Sequence, residues 1–159
     1  LDTFDRDGWR ARILCLRIGG NDLLSQLHLR RPPDATLYAS PLGTLIDRLV
    51  GLCKPAGYLL SAPVFEYLDR PDLLAREVRE DLRHGLTGKS AIHPAQVAVI
   101  EREYRVSREE RDLAQQILAS EEAIFRAGGA MQETAVHRNW AQATLHRAAA
   151  FPTTAEDGV

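Results

Sequence analysis

Three short stretches carry side chains able to do chemistry: "GGND" (19–22), "FEYLD" (65–69) and "GKSAIHP" (88–94). In the first, Gly19 and Gly20 let the backbone come close to a substrate or metal. Asp22 then offers a carboxylate to a hard cation such as Mg²⁺, which takes oxygen ligands and keeps several of its waters. The same aspartate also suits the cap of the helical turn "LLSQL" that follows. In the second stretch Asp69 is placed to cap the helix started by Pro71. Glu66 is left for catalysis or for a solvated rim. In the third, Lys89 puts a positive charge either beside an anionic substrate or in solvent. His93, held by Pro94, is either a base or a buried ring bonded to a backbone carbonyl that only shapes the turn.

Each stretch follows an apolar run of strand length. "RILCLRI" (12–18) is nearly continuous in its apolar residues, the pattern of a strand buried on both faces. "YLLSAPVF" (58–65) is a second such run, and a short third strand is expected near Lys89 to Ile92. Between them, Ser40 and Pro41 open a helix as N-cap and first helical residue. Its stripe is Leu42, Leu45, Ile46, Leu49 and Cys53, and Pro55 and Gly57 end it. A second helix runs from Pro71 through Leu74, Val78 and Leu82 to Gly85. Alternating strands and helices imply parallel α/β units, whose ligands meet the loops at the carboxyl ends of the strands.

From Ser107 the pattern changes. Ser107 and Glu110 form a capping box that opens a long helix carrying Leu113, Ile117, Leu118, Ile124 and Phe125. Gly128-Gly129 breaks it, and Thr134 is placed to cap a last helix with the stripe Val136, Trp140, Ala143 and Arg147. The expected organisation is α/β units over residues 1–104, a helical appendage over 105–150, and a disordered tail over 151–159.

Composition narrows the function classes. The 159 residues carry a formal net charge of -2 with acids and bases interleaved, so nothing electrostatic favours nucleic acid or an anionic membrane. No apolar run approaches the roughly 20 residues that span a bilayer. Cys15 and Cys53 read as buried, reduced thiols of a cytoplasmic protein. Arg30 and Arg31, before Pro32-Pro33, are placed either to touch a phosphate or, by default, to lie in a solvated loop. Nucleophile-elbow, phosphate-loop, dinucleotide and zinc-protease motifs are absent.

"RIGGNDLL" followed by "GKSAIHPAQVAVIE" resembles the HpcH/HpaI aldolase and citrate lyase β-subunit superfamily, and "RIGGNDLL", "APVFEYLD" and "GKSAIHP" together resemble its divergent branch of C–C bond lyases of the TIM-barrel fold. The resemblance runs from about Arg12 to Ala148. It implies that Asp22 takes the place of the Mg²⁺-binding aspartate after the sixth barrel strand, and that His93 and Pro94 stand at the end of the eighth. "GGAMQETAVHRNW" resembles a C-terminal segment whose acid serves a neighbouring subunit as proton donor, and Glu133 occupies that position. The family's aspartate after the seventh strand has no match, and Glu66 stands there instead. A (β/α)₈ barrel needs roughly 250 residues, so the chain is expected to be the last three β/α units of a longer protein.

The resemblance implies a Mg²⁺-dependent lyase or aldolase that works through an enolate-type intermediate. The substrate is a small carboxylate or acyl thioester, with a coenzyme A thioester possible. Implied roles are Asp22 at the metal, Glu133, His93 and Glu66 in catalysis, and Lys89 and Gly20 at the substrate. The second metal carboxylate and the substrate-binding arginine are expected upstream of Leu1, the whole protein is expected to be a homo-oligomer, and this portion alone is expected to be inactive. Two rivals are a non-catalytic barrel-derived scaffold and a pyruvate-type class II aldolase with a histidine-rich metal site.

Overall fold

Leu16–Arg17 (β1), Leu60–Ala62 (β2) and Gly88–Lys89 (β3) form a parallel sheet in the order β1-β2-β3 in the computed structural model, which describes residues 6–152. The register pairs Leu16 with Leu60 and Arg17 with Ser61, then Ser61 with Gly88 and Ala62 with Lys89. The chain divides into two compact units, Leu1–Glu103 and Tyr104–Val159.

The first unit is a run of β/α units. Helix α1 (Gly20–Gln26) follows β1, α2 (Pro41–Cys53) precedes β2, α3 (Pro71–Arg83) links β2 to β3, and α4 (Pro94–Tyr104) follows β3. A short 3₁₀ turn at Leu37–Ala39 leads into α2. Ser40 caps α2 as expected, its hydroxyl accepting from the Leu42 N–H at 3.3 Å, with Pro41 behind it. Leu42, Ile46 and Cys53 are buried, and Leu45 and Leu49 pack against the same cluster. At the end of α3, Gly85 takes φ +83°, a conformation that an L side chain adopts only with strain.

Period-2 alternation sorts the sheet's residues by face. Leu16, Leu60 and Ala62 lie in the core with the residues of α2, and Lys89 reaches acids of α3. Arg17, Ser61 and Gly88 therefore lie in one row across the opposite face.

Several expectations need correction here. The first strand is two residues long rather than the whole of 12–18, and Arg10–Arg12 is a 3₁₀ turn. Leu16 is half-buried and Arg17 exposed, so β1 is not buried on both faces. Leu14 is 85% exposed and Cys15 is exposed rather than a core thiol, whereas Cys53 is buried. Asp69 does not cap α3: Arg70 is the N-cap and no side chain bonds the helix end. Arg31 is buried rather than solvated.

In the second unit, Ser107 caps α5 (Arg108–Ala119), accepting from the Glu110 N–H at 3.1 Å. The Glu109 carboxyl is held below its ordinary pKa, first by the backbone N–H of Glu109 and then by the Ser107 hydroxyl. The helix then stops at Ala119, short of the expected Phe125. Ile124–Ala127 (β4) and Ala130–Glu133 (β5) form an antiparallel hairpin, turned by Gly128 and Gly129 at φ +58° and +78°. Two successive positive-φ residues suit a two-residue hairpin loop, whose twist matches that of the strands. The appendage is thus helix, hairpin, helix.

In α6 (Thr134–Ala150) the expected stripe also moves. Val136 and Trp140 are exposed, while Ala141 and Thr144 are buried. Small residues let α6 approach α5, and Ala114, Ile117 and Ala141 form the core between them. Thr134 is the first helical residue rather than the cap, and its hydroxyl donates to the Glu122 carbonyl at 2.6 Å. Part of the expected 151–159 tail lies outside the described residues.

Candidate active site

Three parallel strands put their exit loops along one edge, and those loops carry Asp22, Glu66 and His93. Gly19 is the N-cap of α1, and Asp22 sits in the helix's first turn rather than at the cap. A Cβ built on Gly19 would lie 2.7 Å from Asp22 Oδ2. The carboxylate therefore folds back over the bare Gly19 α-carbon, immediately past the end of β1. Asp22 is exposed, and among the described residues no side-chain hydrogen bond or ion pair occupies its oxygens. Gly20 is buried, and a Cβ there would fall 2.6 Å from Pro63 Cβ. The absence of a side chain lets the start of α1 press against the residue following β2.

Glu66 is half-buried in that same exit loop, with no hydrogen bond or ion pair among the described residues. Its backbone is held from two directions. Arg31 NH2 donates to the Val64 carbonyl at 2.6 Å, and its guanidinium lies 4.9 Å from the Phe65 ring centroid. Gln96 Nε2 donates to the next carbonyl, Phe65 O, at 2.8 Å. The Tyr67 hydroxyl closes the loop onto the Arg31 carbonyl at 2.9 Å.

His93 is exposed, not buried, and its Nδ1 accepts from the Ala95 N–H at 3.2 Å. The ring thus acts as the cap of α4 and bonds an amide rather than a carbonyl. With Nδ1 accepting, the neutral ring carries its proton on Nε2. Glu133 lies in the second unit, exposed at the end of β5, and its N–H donates to His137 Nδ1 at 3.2 Å.

Lys89 matches neither alternative raised for it. Its side chain is fully buried, with the ammonium 2.9 Å from Glu77 Oε1 and 2.8 Å from Asp81 Oδ2. Glu77 Oε2 also takes Arg31 NH1 at 2.5 Å and the Leu37 N–H at 3.0 Å. The Tyr38 hydroxyl donates to Asp81 Oδ1 at 2.7 Å. Two cations and two carboxylates are therefore balanced and mutually hydrogen-bonded, the condition under which buried charge is tolerated. Burial pushes the Asp81 carboxyl above its ordinary pKa, against the opposing pull of Lys89. Burial, with the adjacent Asp81 charge, also drives the Tyr38 phenol far above its usual range.

Arg31, Glu77, Asp81 and Gln96 were missed as site supports. A signal for two of them was present: Leu74, Glu77, Val78 and Asp81 follow the i, i+3, i+4, i+7 spacing of a core-facing stripe, and two of the four are acids. Gln96 closes the "HPAQ" run. For Arg31 no local pattern distinguishes it from Arg30.

Parallel β/α units with acids and a histidine at the strand exits define a portion of a (β/α)₈ barrel, whose chemistry sits on that face. A family model described as the C–C bond lyase of the TIM-barrel fold matches residues 2–153, and the chain belongs to that family. The chain is similar to the crystal structure of the protein CitE from Mycobacterium tuberculosis in complex with magnesium, acetoacetate and coenzyme A, at 26% identity and a TM-score of 0.69 over 86% of this chain and 52% of that one. It also resembles a citrate lyase from Burkholderia xenovorans LB400, at 23% identity and a TM-score of 0.59 over 78% and 40% of the respective chains, a likeness of fold alone. The chain thus spans about half the length of these structures, or less. No curated protein matches it.

Among the described residues no three metal-binding side chains gather in one place, and no helix is long and apolar enough to cross a membrane. An exposed, unpaired carboxylate over a bare glycine still fits one ligand position of Mg²⁺, which accepts one or two carboxylates and otherwise keeps water.

Proposed function

We propose that this chain supplies part of the catalytic face of a Mg²⁺-dependent carbon–carbon lyase acting on a carboxylate or acyl-thioester substrate. The observation that carries the reading is Asp22, unpartnered and folded over Gly19 past the tip of β1. Membership of the lyase family and likeness to a protein bound to magnesium, acetoacetate and coenzyme A support it.

Asp22 would hold the metal, together with a second carboxylate outside this chain. Bound Mg²⁺ supplies Lewis-acid polarisation of a carbonyl oxygen. Arg17, exposed on the sheet face opposite the helices, lends that face a positive charge suited to a substrate carboxylate. Gly20, with Pro63 filling the place of its side chain, serves the substrate site by seating the start of α1, and with it Asp22, close to the end of β2. Glu66 serves as an acid or base at the second strand exit and His93 offers its Nε2 proton at the third; Glu133, in the segment that resembles the family's C-terminal one, would serve a neighbouring subunit as proton donor. The same reading includes a small-molecule substrate, a cytoplasmic location and a homo-oligomer, with this chain inactive by itself.

In a protein carrying the complete barrel, Asp22→Ala is expected to abolish metal-dependent cleavage and to lower Mg²⁺ affinity in calorimetric titration. Undiminished turnover and affinity in the variant would reject the role given to Asp22.

A further inference from the structure

We infer that Gln96 is a positioning residue that locks the second and third strand-exit loops to each other, and so sets Glu66 against His93. Its amide is buried, with the residue 3% exposed, and both ends are used. Nε2 donates to Phe65 O at 2.8 Å in the loop of Glu66, and Oε1 accepts from the Ile92 N–H at 3.0 Å, one residue before His93. One planar group thus joins the backbone of the residue immediately before each of the two candidate site residues. Arg31 holds the neighbouring carbonyl of Val64 and covers the buried Phe65 ring, and Tyr67 bonds the Arg31 carbonyl; these contacts anchor the Glu66 loop on its own side, and the bonds of Gln96 tie it to the loop of His93.

No exit-loop side chain other than that of Gln96 bonds the backbone of both loops among the described residues. The planar amide is suited to this as a carboxylate is not, because it donates and accepts at once. Glu66 and His93 themselves make no bond to one another, so their relative placement depends on the backbones that carry them. The inference rests on the reading of Glu66 and His93 as site residues, but its test needs neither substrate nor metal.

The test is ¹⁵N relaxation on the intact chain. In the unsubstituted protein the amides of Phe65, Glu66, Ile92 and His93 are expected to show order parameters near the rigid value of about 0.85. Gln96→Leu removes both bonds and should drop both loops below about 0.6, the flexible range. Gln96→Glu keeps the acceptor for Ile92 and loses the donor to Phe65, so it should loosen residues 64–67 and leave 92–93 rigid. With any substrate the complete protein turns over, Gln96→Glu should lower kcat about tenfold at a KM within about twofold, since orientation rather than binding is lost.

Rigid loops in both variants, or an even loosening across the whole unit, would overturn the inference. Should Gln96→Leu not fold, Gln96→Glu decides alone, and an unchanged 64–67 loop in it refutes the role. The loop-selective loosening in this chain, together with no detectable lyase activity in the protein carrying the complete barrel, would support the positioning role and count against the proposed function.

Discussion

At the scale of single residues, the contrast between Lys89 and Asp22 is instructive. Both belong to motifs whose side chains suit a ligand, yet one is fully buried and the other is exposed. Period-2 alternation decides this: paired with Ala62, Lys89 faces the helix side of the sheet, where Glu77 and Asp81 await it. Lys89→Met should therefore cost roughly 3–5 kcal/mol, the usual penalty for leaving a buried partner charge unpaired. Urea denaturation of the variant measures it. Unchanged stability with weakened substrate binding would instead return Lys89 to the substrate. Gln96 belongs to the same scale, since its effect comes from two hydrogen bonds rather than from charge.

The elements show how local chemistry and packing divide the work. Ser40 with Pro41 sets the start of α2, and Ser107 that of α5, as their sequences suggested. The hairpin departs from the expected helix: periodicity through Ile124 masked the strand pattern of "IFRA-GG-AMQE". Two positive-φ glycines and the pairing of Ile124 with Glu133 resolve the competition in favour of strands. Close approach matters as much at the start of α1. Gly20→Ala would place a Cβ 2.6 Å from Pro63 Cβ. Such overpacking typically costs about 1–3 kcal/mol. A lowered thermal midpoint and displaced amide shifts at Asn21 and Asp22 are expected; a variant with unshifted spectra would show that α1 does not depend on this contact.

At the scale of the molecule, the sheet has three strands where a closed barrel has eight, and among the described residues β1 and β3 each pair on one side only. Unpaired strand edges with exposed apolar residues template association, and Leu14 and Leu59, at 85% and 47% exposure, flank the β1–β2 pair. Sedimentation of the chain is expected to show concentration-dependent self-association that Leu14→Lys reduces without altering the circular dichroism. A monomer at all concentrations would mean that this edge is already protected. The chain's match to about half of the CitE structure gives the open edges their physical setting.

From the sequence by itself came the α/β units, the serine caps of α2 and α5, the strand-exit loops and the family, because those depend on local periodicity and on short motifs. Burial of Lys89 and Arg31 and the bond of Gln96 to the Glu66 loop depend on contacts between residues 8 to 46 positions apart, and the exposure of His93 and Cys15 is set by the packing around them. No local pattern encodes which face a two-residue strand turns to its helices. Only the packed sheet decides it, since a shift of one residue sends every side chain to the opposite side.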